Sequence, residues 1–339
     1  MKLDTALRWN EMHEVAGVAR AAEDAGFDAL WSAESGTDAL LPLAVAAVNT
    51  ERIKLGTAVV LAFPRSPMVL AYMSWDLARA SRGRFILGLG TQVKGHIERR
   101  FSTPWLPPVA RMREYIESLR AIFKCWSEGG RKLSYQGKYY NFSLMTPAFT
   151  PPHHEFGNIP IYTSGLNARM CQLAGELCEG FHVHPFHTAK FLRENVMPNV
   201  EAGLKKAGRQ RSDIAIATGA FVVVGRNDEE LHNAREAVRR QIAFYGSTRT
   251  YKPVFDLHGW GDVTMRLNEK TAKGDWKGMP NEITDEMLDT FAISGTFDNI
   301  AAKVKATYDG LLDRVYFYFP YQPGRDDQEW RRLTRSFNG

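Results

Sequence analysis

Short, nearly continuous apolar runs alternate along this chain with stretches of helical periodicity. Leu55, Val59 and Val60 fall in one run, and Ile86, Leu87 and Leu89 in the next. Runs without a polar alternate suit strands buried on both faces. Strands are predicted at 2–7, 27–33, 53–61, 83–92, 159–163, 180–184, 214–224 and 314–319. Between them lie helical patterns. Val15, Val18, Ala19 and Ala22 form an apolar face that ends at Gly26, with Asn10 placed as its cap. Met112, Tyr115, Ile116, Leu119, Ile122, Phe123 and Trp126 recur at 3-4-3-3-4-3 spacing. Pro67 suits a first helical position, and Gly83 suits a helix end. Eight strands, each followed by helix, predict an α/β fold, a (β/α)8 TIM barrel with insertion segments. A doubly wound open sheet is the alternative.

One barrel domain over 1–339 is expected, with two insertions. Residues 128–158 carry turn residues and Tyr135, Tyr139, Tyr140 and Phe142, which read as a hairpin and loop. Residues 246–282 read as irregular and too long for an ordinary connection, hence a candidate lid around His258 and Trp260. Residues 92–108 read as a long polar loop.

In parallel α/β proteins ligands sit at the C-terminal ends of strands, so polar residues there carry the candidate chemistry. Glu34 ends strand two, where a carboxylate is costly unless paired or functional. His96, near Arg99 and Arg100, is a candidate acid–base group or anion contact, or else a surface histidine. His182 and His184 share a strand face; they suggest either a metal pair or, better, one histidine lining a pocket. Ser164, Gly165, Leu166, Asn167 and Arg169 join strand five to a helix whose N-terminus could hold a phosphate; a Ser-capped helix without ligand is the plainer reading. The Gly88-Leu-Gly90-Thr91 turn lacks the third glycine of a dinucleotide fingerprint, and no helix is expected to begin there.

Composition narrows the field. The net charge is +5, and basic residues are dispersed rather than blocked, which disfavours nucleic acid and suits an anionic small ligand. Three cysteines, Cys125, Cys171 and Cys178, form no CxxC and no disulfide framework. No apolar leader or membrane span is read, so a soluble cytoplasmic protein is expected. There is no GxSxG, and no lysine late in a predicted strand to support a Schiff base.

Several stretches together resemble the luciferase-like monooxygenase superfamily, specifically its branch of deazaflavin (coenzyme F-420)-dependent oxidoreductases. They are Ala21-Ala-Glu-Asp-Ala-Gly-Phe-Asp28 with Trp31-Ser-Ala-Glu34, Thr50-Glu-Arg-Ile-Lys-Leu-Gly-Thr57, Arg65-Ser-Pro67, Ser81-Arg-Gly-Arg-Phe-Ile-Leu-Gly-Leu-Gly90 and Ile159-Pro-Ile-Tyr-Thr-Ser-Gly165 leading to Ala174-Gly-Glu-Leu-Cys-Glu-Gly180. Thr91-Gln-Val-Lys-Gly-His96 and Ala243-Phe-Tyr-Gly-Ser-Thr248 are similar to one deazaflavin subgroup. The resemblance implies a flavin-like ring at the ends of strands two to four and a non-proline cis peptide at Ala58–Val59. It also implies ring or tail contacts from Thr91 and Gln92 and a phosphate-tail segment from Ser164 to Arg169. It implies hydride transfer between F-420 and an organic substrate, by a homodimer served by a cofactor reductase. An FMN-dependent monooxygenase using O2 is the alternative within the superfamily; a metal-dependent hydrolase built on His182 and His184 and a non-catalytic flavin binder are others. Two positions depart from the pattern. Ser35 stands where many relatives have His, and Val93 where sugar-phosphate dehydrogenases of the branch have Glu. The proton donor is therefore left among Glu34, His96 and His184.

Overall fold

The computed structural model describes residues 1–338. Its eight parallel barrel strands are β1 (Lys2–Ala6), β2 (Ala29–Ser32), β3 (Lys54–Thr57), β4 (Phe85–Gly90), β5 (Ile161–Gly165), β6 (Gly180–Val183), β7 (Ala215–Ala220) and β8 (Arg314–Phe317). With their intervening helices they have the (β/α)8 TIM-barrel fold. The described residues divide into two compact units, 4–182 with 199–215, and 1–3 with 183–198 and 216–338.

In the first unit the strands run in the order β1 to β6, each paired in parallel with the next. Leu30 lies opposite Leu55, Leu55 opposite Phe85, and Leu87 opposite Ile161. All six residues of β4 are buried, as its unbroken apolar run predicts. The first helices are α1 (Val15–Ala25), α2 (Leu41–Asn49) and α3 (Pro67–Ala80). Val15, Ala19, Ala22 and Ala25 form the buried face of α1, and Gly26 closes it at φ 90°. Glu23, in α1, accepts the backbone N–H of Glu51 at 3.0 Å, Arg52 at 2.5 Å and Ile53 at 2.8 Å. Pro67 opens α3, and Ser66 caps it by accepting Met68 N–H at 3.3 Å.

Two predicted loops hold more structure than their composition suggests. Between 92 and 108 lies a short helix, α4 (Lys94–Arg99), so a helix does begin soon after the Gly88–Gly90 turn. The long amphipathic helix, α5 (Pro108–Ser127), follows and buries Met112, Ile116, Leu119, Phe123 and Trp126. In the 128–158 insertion Tyr135–Gln136 pairs antiparallel with Asn141–Phe142. Its turn is tied down by Glu114, which accepts N–H from Lys138 and Tyr139.

In the second unit β7 pairs in parallel with β8, with Ala217 opposite Arg314. The predicted seventh strand is two: Val222–Val224 pairs separately with Ile293–Gly295. The segment 246–282 is helical rather than irregular, with helices at Lys252–Asp256 and Gly261–Ala272. Pro253 sits in the first turn of one, and Gly261 opens the other. The residues that read as breaks are helix starts. No helix among the described residues is long and apolar enough to cross a membrane.

Candidate functional site

The ends of β2, β3 and β4 carry the first group of predicted residues. The peptide bond between Ala58 and Val59 is cis. Backbone bonds from β2 hold both residues: Ala58 N–H donates to Ser32 at 2.8 Å, and Glu34 N–H donates to Val59 at 3.1 Å. Ala58 and Val59 are partly exposed although Thr57 and Val60 beside them are buried. Two glycines let the segment lie where it does. A Cβ on Gly88 would fall 1.9 Å from the Thr57 carbonyl oxygen, and one on Gly90 would fall 2.3 Å from Val59 Cγ2. Gly88 thus reflects close strand packing, while Gly90 makes room for the Val59 side chain.

Glu34 does not stand free. Its side chain is 8% exposed and pairs with Arg65 at 2.8 Å. The same carboxylate accepts Leu61 N–H at 2.8 Å. The other arm of Arg65 reaches Asp38 at 2.9 Å, and Asp38 in turn accepts the N–H groups of Leu40 and Leu41 ahead of α2. One guanidinium therefore binds two carboxylates in the fork geometry that arginine favours. The arrangement fixes the turn from 58 to 65 against the end of β2. Arg65 was quoted from sequence only within a motif; its partner lies 31 residues away, a spacing no local pattern reveals.

Thr91 and Gln92 are partly exposed at the end of β4. Gln92 adopts φ 56°, and its side-chain oxygen accepts Val93 N–H at 3.0 Å. His96 lies on the exposed face of α4. Arg100, just beyond, donates to the Ser35 carbonyl at 2.9 Å. At the end of β5, Ser164 and Gly165 are partly exposed, Leu166 is buried, and Asn167 and Arg169 are exposed. The residue at the N-cap of α6 (Ala168–Leu177) is Asn167 and not Ser164, and its side chain makes no capping bond. The first-turn amides of α6 are thus left without a side-chain cap, the condition under which a helix N-terminus receives an anion.

The two histidines of the HxH motif have different surroundings. His182 is 4% exposed and packs edge-on to Trp31 at 4.7 Å and near Tyr162 at 5.3 Å. Trp31 in turn donates its indole N–H to buried Asp4 at 2.8 Å. His182 is part of this packed interior. Among the described residues no group of three His, Cys, Asp or Glu side chains is placed to share a metal ion.

His184 is partly exposed, in the second unit. Its ring lies 4.3 Å from Tyr251 and 4.8 Å, edge-on, from Tyr245. Tyr245 shares a 2.8 Å hydrogen bond with Tyr318. Phe186 N–H donates to His184 Nδ1 at 3.1 Å. Behind it, His187 bonds the His184 carbonyl at 2.9 Å through Nδ1 and Tyr308 at 3.2 Å through Nε2. Burial pushes the His184 pKa down to about 3, and His187 adds to the effect. Burial likewise pushes His187 down to about 4 against its bonds to backbone carbonyls. Both rings are neutral near neutral pH. His258 Nε2 shares a 2.9 Å hydrogen bond with the Thr188 hydroxyl and its ring stacks on Trp260 at 4.7 Å. Tyr245 and Tyr251 lie about 60 residues beyond His184 and Tyr318 more than 130 beyond it, and of these only Tyr245 belongs to a motif in the sequence reading.

Comparison with known proteins gives these features a context. An uncharacterized protein of Mycobacterium tuberculosis (strain ATCC 25618 / H37Rv) is 41% identical over 315 residues, 93% of this chain and 92% of that one. The 5,10-methylenetetrahydromethanopterin reductase of Archaeoglobus fulgidus is 33% identical over 322 residues, 92% of this chain and 91% of that one. Among solved structures, the coenzyme F420 dependent tetrahydromethanopterin reductase from Methanopyrus kandleri has the same fold, with TM-score 0.80 at 22% identity over 99% of this chain and 97% of that one. The family model described as luciferase-like monooxygenase matches residues 2–314. With nearly its whole length covered, the chain belongs to the luciferase-like monooxygenase family.

Proposed function

We propose that the protein is an oxidoreductase that transfers a hydride between bound coenzyme F-420 and an organic small molecule. The observation that carries this reading is the braced, partly exposed Ala58–Val59 segment beside Gly90, which fits the flat ring system of a deazaflavin. The reductase names of the relatives support it. When bound, the deazaflavin supplies a hydride acceptor or donor at its C5 carbon.

The chain's own residues do the positioning. Ala58, Val59, Thr91 and Gln92 would hold the ring. The α6 amides, with Ser164, Gly165, Leu166, Asn167 and Arg169, would hold the anionic tail, which suits a helix terminus with a cation beside it. Glu34 has both oxygens engaged by Arg65 and accepts Leu61 N–H as well, so its part would be to position the turn that carries Ala58 and Val59. His184 and His96 are the candidates for the hydrogen-bond or proton partner of the substrate. The segment 246–282, which supplies Tyr251, would set substrate choice. A second reading, an FMN-dependent monooxygenase using O2, rests on the family description.

Fluorescence titration of the purified protein with F-420 and with FMN separates them. F-420 binding at micromolar concentration or tighter, with FMN weaker by at least about tenfold, is the expected result. Preferential FMN binding moves the protein to oxygen chemistry, and binding of neither removes the cofactor assignment.

A further inference from the structure

The surroundings of His184 define its chemistry closely enough to say what it meets. Phe186 N–H can only donate, so His184 Nδ1 is an acceptor and carries no proton. In a neutral imidazole the proton then sits on Nε2. The His184 carbonyl can only accept, so the His187 proton is on Nδ1 and the Tyr308 hydroxyl donates to His187 Nε2. The pair His187–Tyr308, 1% and 2% exposed, thereby fixes the backbone from which the His184 ring projects. Tyr251 covers one face of that ring and Tyr245 meets it edge-on. Nε2 has no hydrogen-bond partner among the described residues, and the residue as a whole is partly exposed.

The environment is aromatic and uncharged. Tyr245, Tyr251 and Tyr318 are partly exposed with His184, and Phe319 and Phe244 are 39% and 51% exposed. Burial and Tyr245 account for the rise of Tyr251 to about 12, and burial and His187 for the fall of His184, with no charged side chain contributing to either. An anion brought here would lose its hydration without gaining a cation, whereas a neutral planar group would gain contact with the rings.

We propose that His184 is a fixed, uncharged hydrogen-bond donor, through Nε2–H, to the carbonyl or hydroxyl oxygen of an uncharged planar substrate, with His187 and Tyr308 as its positioning residues. The proposal rests on the oxidoreductase reading for its word "substrate", and it names the class that reading left open: a neutral aromatic or conjugated carbonyl compound or the corresponding alcohol. By the same argument a carboxylate or phosphate at the reacting end would bind more weakly than the neutral group.

The test uses the full-length protein without added F-420, labelled with nitrogen-15 at histidine, and acetophenone and benzoate as neutral and anionic probes of similar size. Comparison with His184→Gln assigns the His184 signals. The wild-type ring should show an unprotonated Nδ1 and a protonated Nε2 from about pH 5.5 to about pH 8. Acetophenone should move the Nε2 signal, and benzoate should bind at least about tenfold more weakly. His184→Phe should weaken acetophenone binding about tenfold, and His184→Gln, which keeps an N–H donor, should recover most of it. A proton on Nδ1, a charged ring at about pH 6, equal binding of benzoate, or unchanged acetophenone binding in His184→Phe each overturns the proposal. Because no arm uses F-420, these outcomes are independent of the cofactor titration. Failure here leaves the cofactor assignment standing, and failure there leaves the donor standing.

Discussion

At the end of β2 the polar side chain is a carboxylate and its company is charged: Arg65 bridges Glu34 and Asp38. At the end of β6 the polar side chain is an imidazole and its company is aromatic: Tyr245, Tyr251 and Phe186. Both sites hold a polar group in a restricted orientation. The first does so by matching charge with charge and binding the remaining oxygen valence to a backbone amide. The second does so by removing charge altogether and fixing a tautomer through the backbone. A matched charge depends on its partner being present; a suppressed charge depends on the proton staying away. The two regions should therefore fail under different perturbations.

The largest expected effect comes from taking away the shared partner. Arg65→Met leaves Glu34 nearly buried without its cation, and urea unfolding should show a loss of about 3 kcal/mol. Replacing both partners, as Arg65→Met with Glu34→Gln, should recover part of that loss. Additive losses in the double variant would mean that the ion pair is not what holds the turn.

A smaller effect separates the second region by pH. The pKa of His187 is lowered on folding, to about 4 from an ordinary value near 6.5, so the unfolded chain takes up its proton first. The associated stability is complete above about pH 6.5 and is lost as pH falls towards about 4. His184 shifts in the same direction. Between about pH 7 and about pH 5.5 the two together should cost about 2 kcal/mol. The same unfolding measurement on His187→Gln should show a shallower slope; a slope identical to wild type would break the comparison.

The smallest effect concerns the hydroxyl that donates to His187. Tyr308→Phe keeps the buried ring and removes that bond, for a loss of about 1 kcal/mol. If the variant is as stable as wild type in urea, the bond does not anchor the loop.

Much of this architecture was readable in the sequence. Both-face burial of strands leaves long apolar runs, and the rhythm of α5 exposes its inner face, so the eight strands and the helices between them follow from periodicity, while the choice of the closed barrel over an open doubly wound sheet does not. Pro67 marked a helix start because its missing N–H costs nothing there. Pro253 obeys the same rule, and the punctuation inside 246–282 that reads as irregularity bounds short helices. In the candidate site, chain position located Glu34, Thr91, Ser164 and His184 at strand ends. It could not show that Glu34 is tied to Arg65, or that His184 and His182 have unlike environments, because those facts depend on side chains many residues away. Local pattern carries burial; partnership is a property of the assembled chain.

Glu23 gathers three successive amides at the start of β3, so the tail of α1 and the turn before β3 behave as one joint. For rearranging the order of the chain, that joint is a poor place to cut. A permuted protein beginning at Glu51 or Arg52 would set a charged, mobile amine where an ordered amide now donates. The tip of the 128–158 hairpin is held in the same way, by Glu114 on the amides of Lys138 and Tyr139, so a new terminus there would loosen a second joint of the same kind.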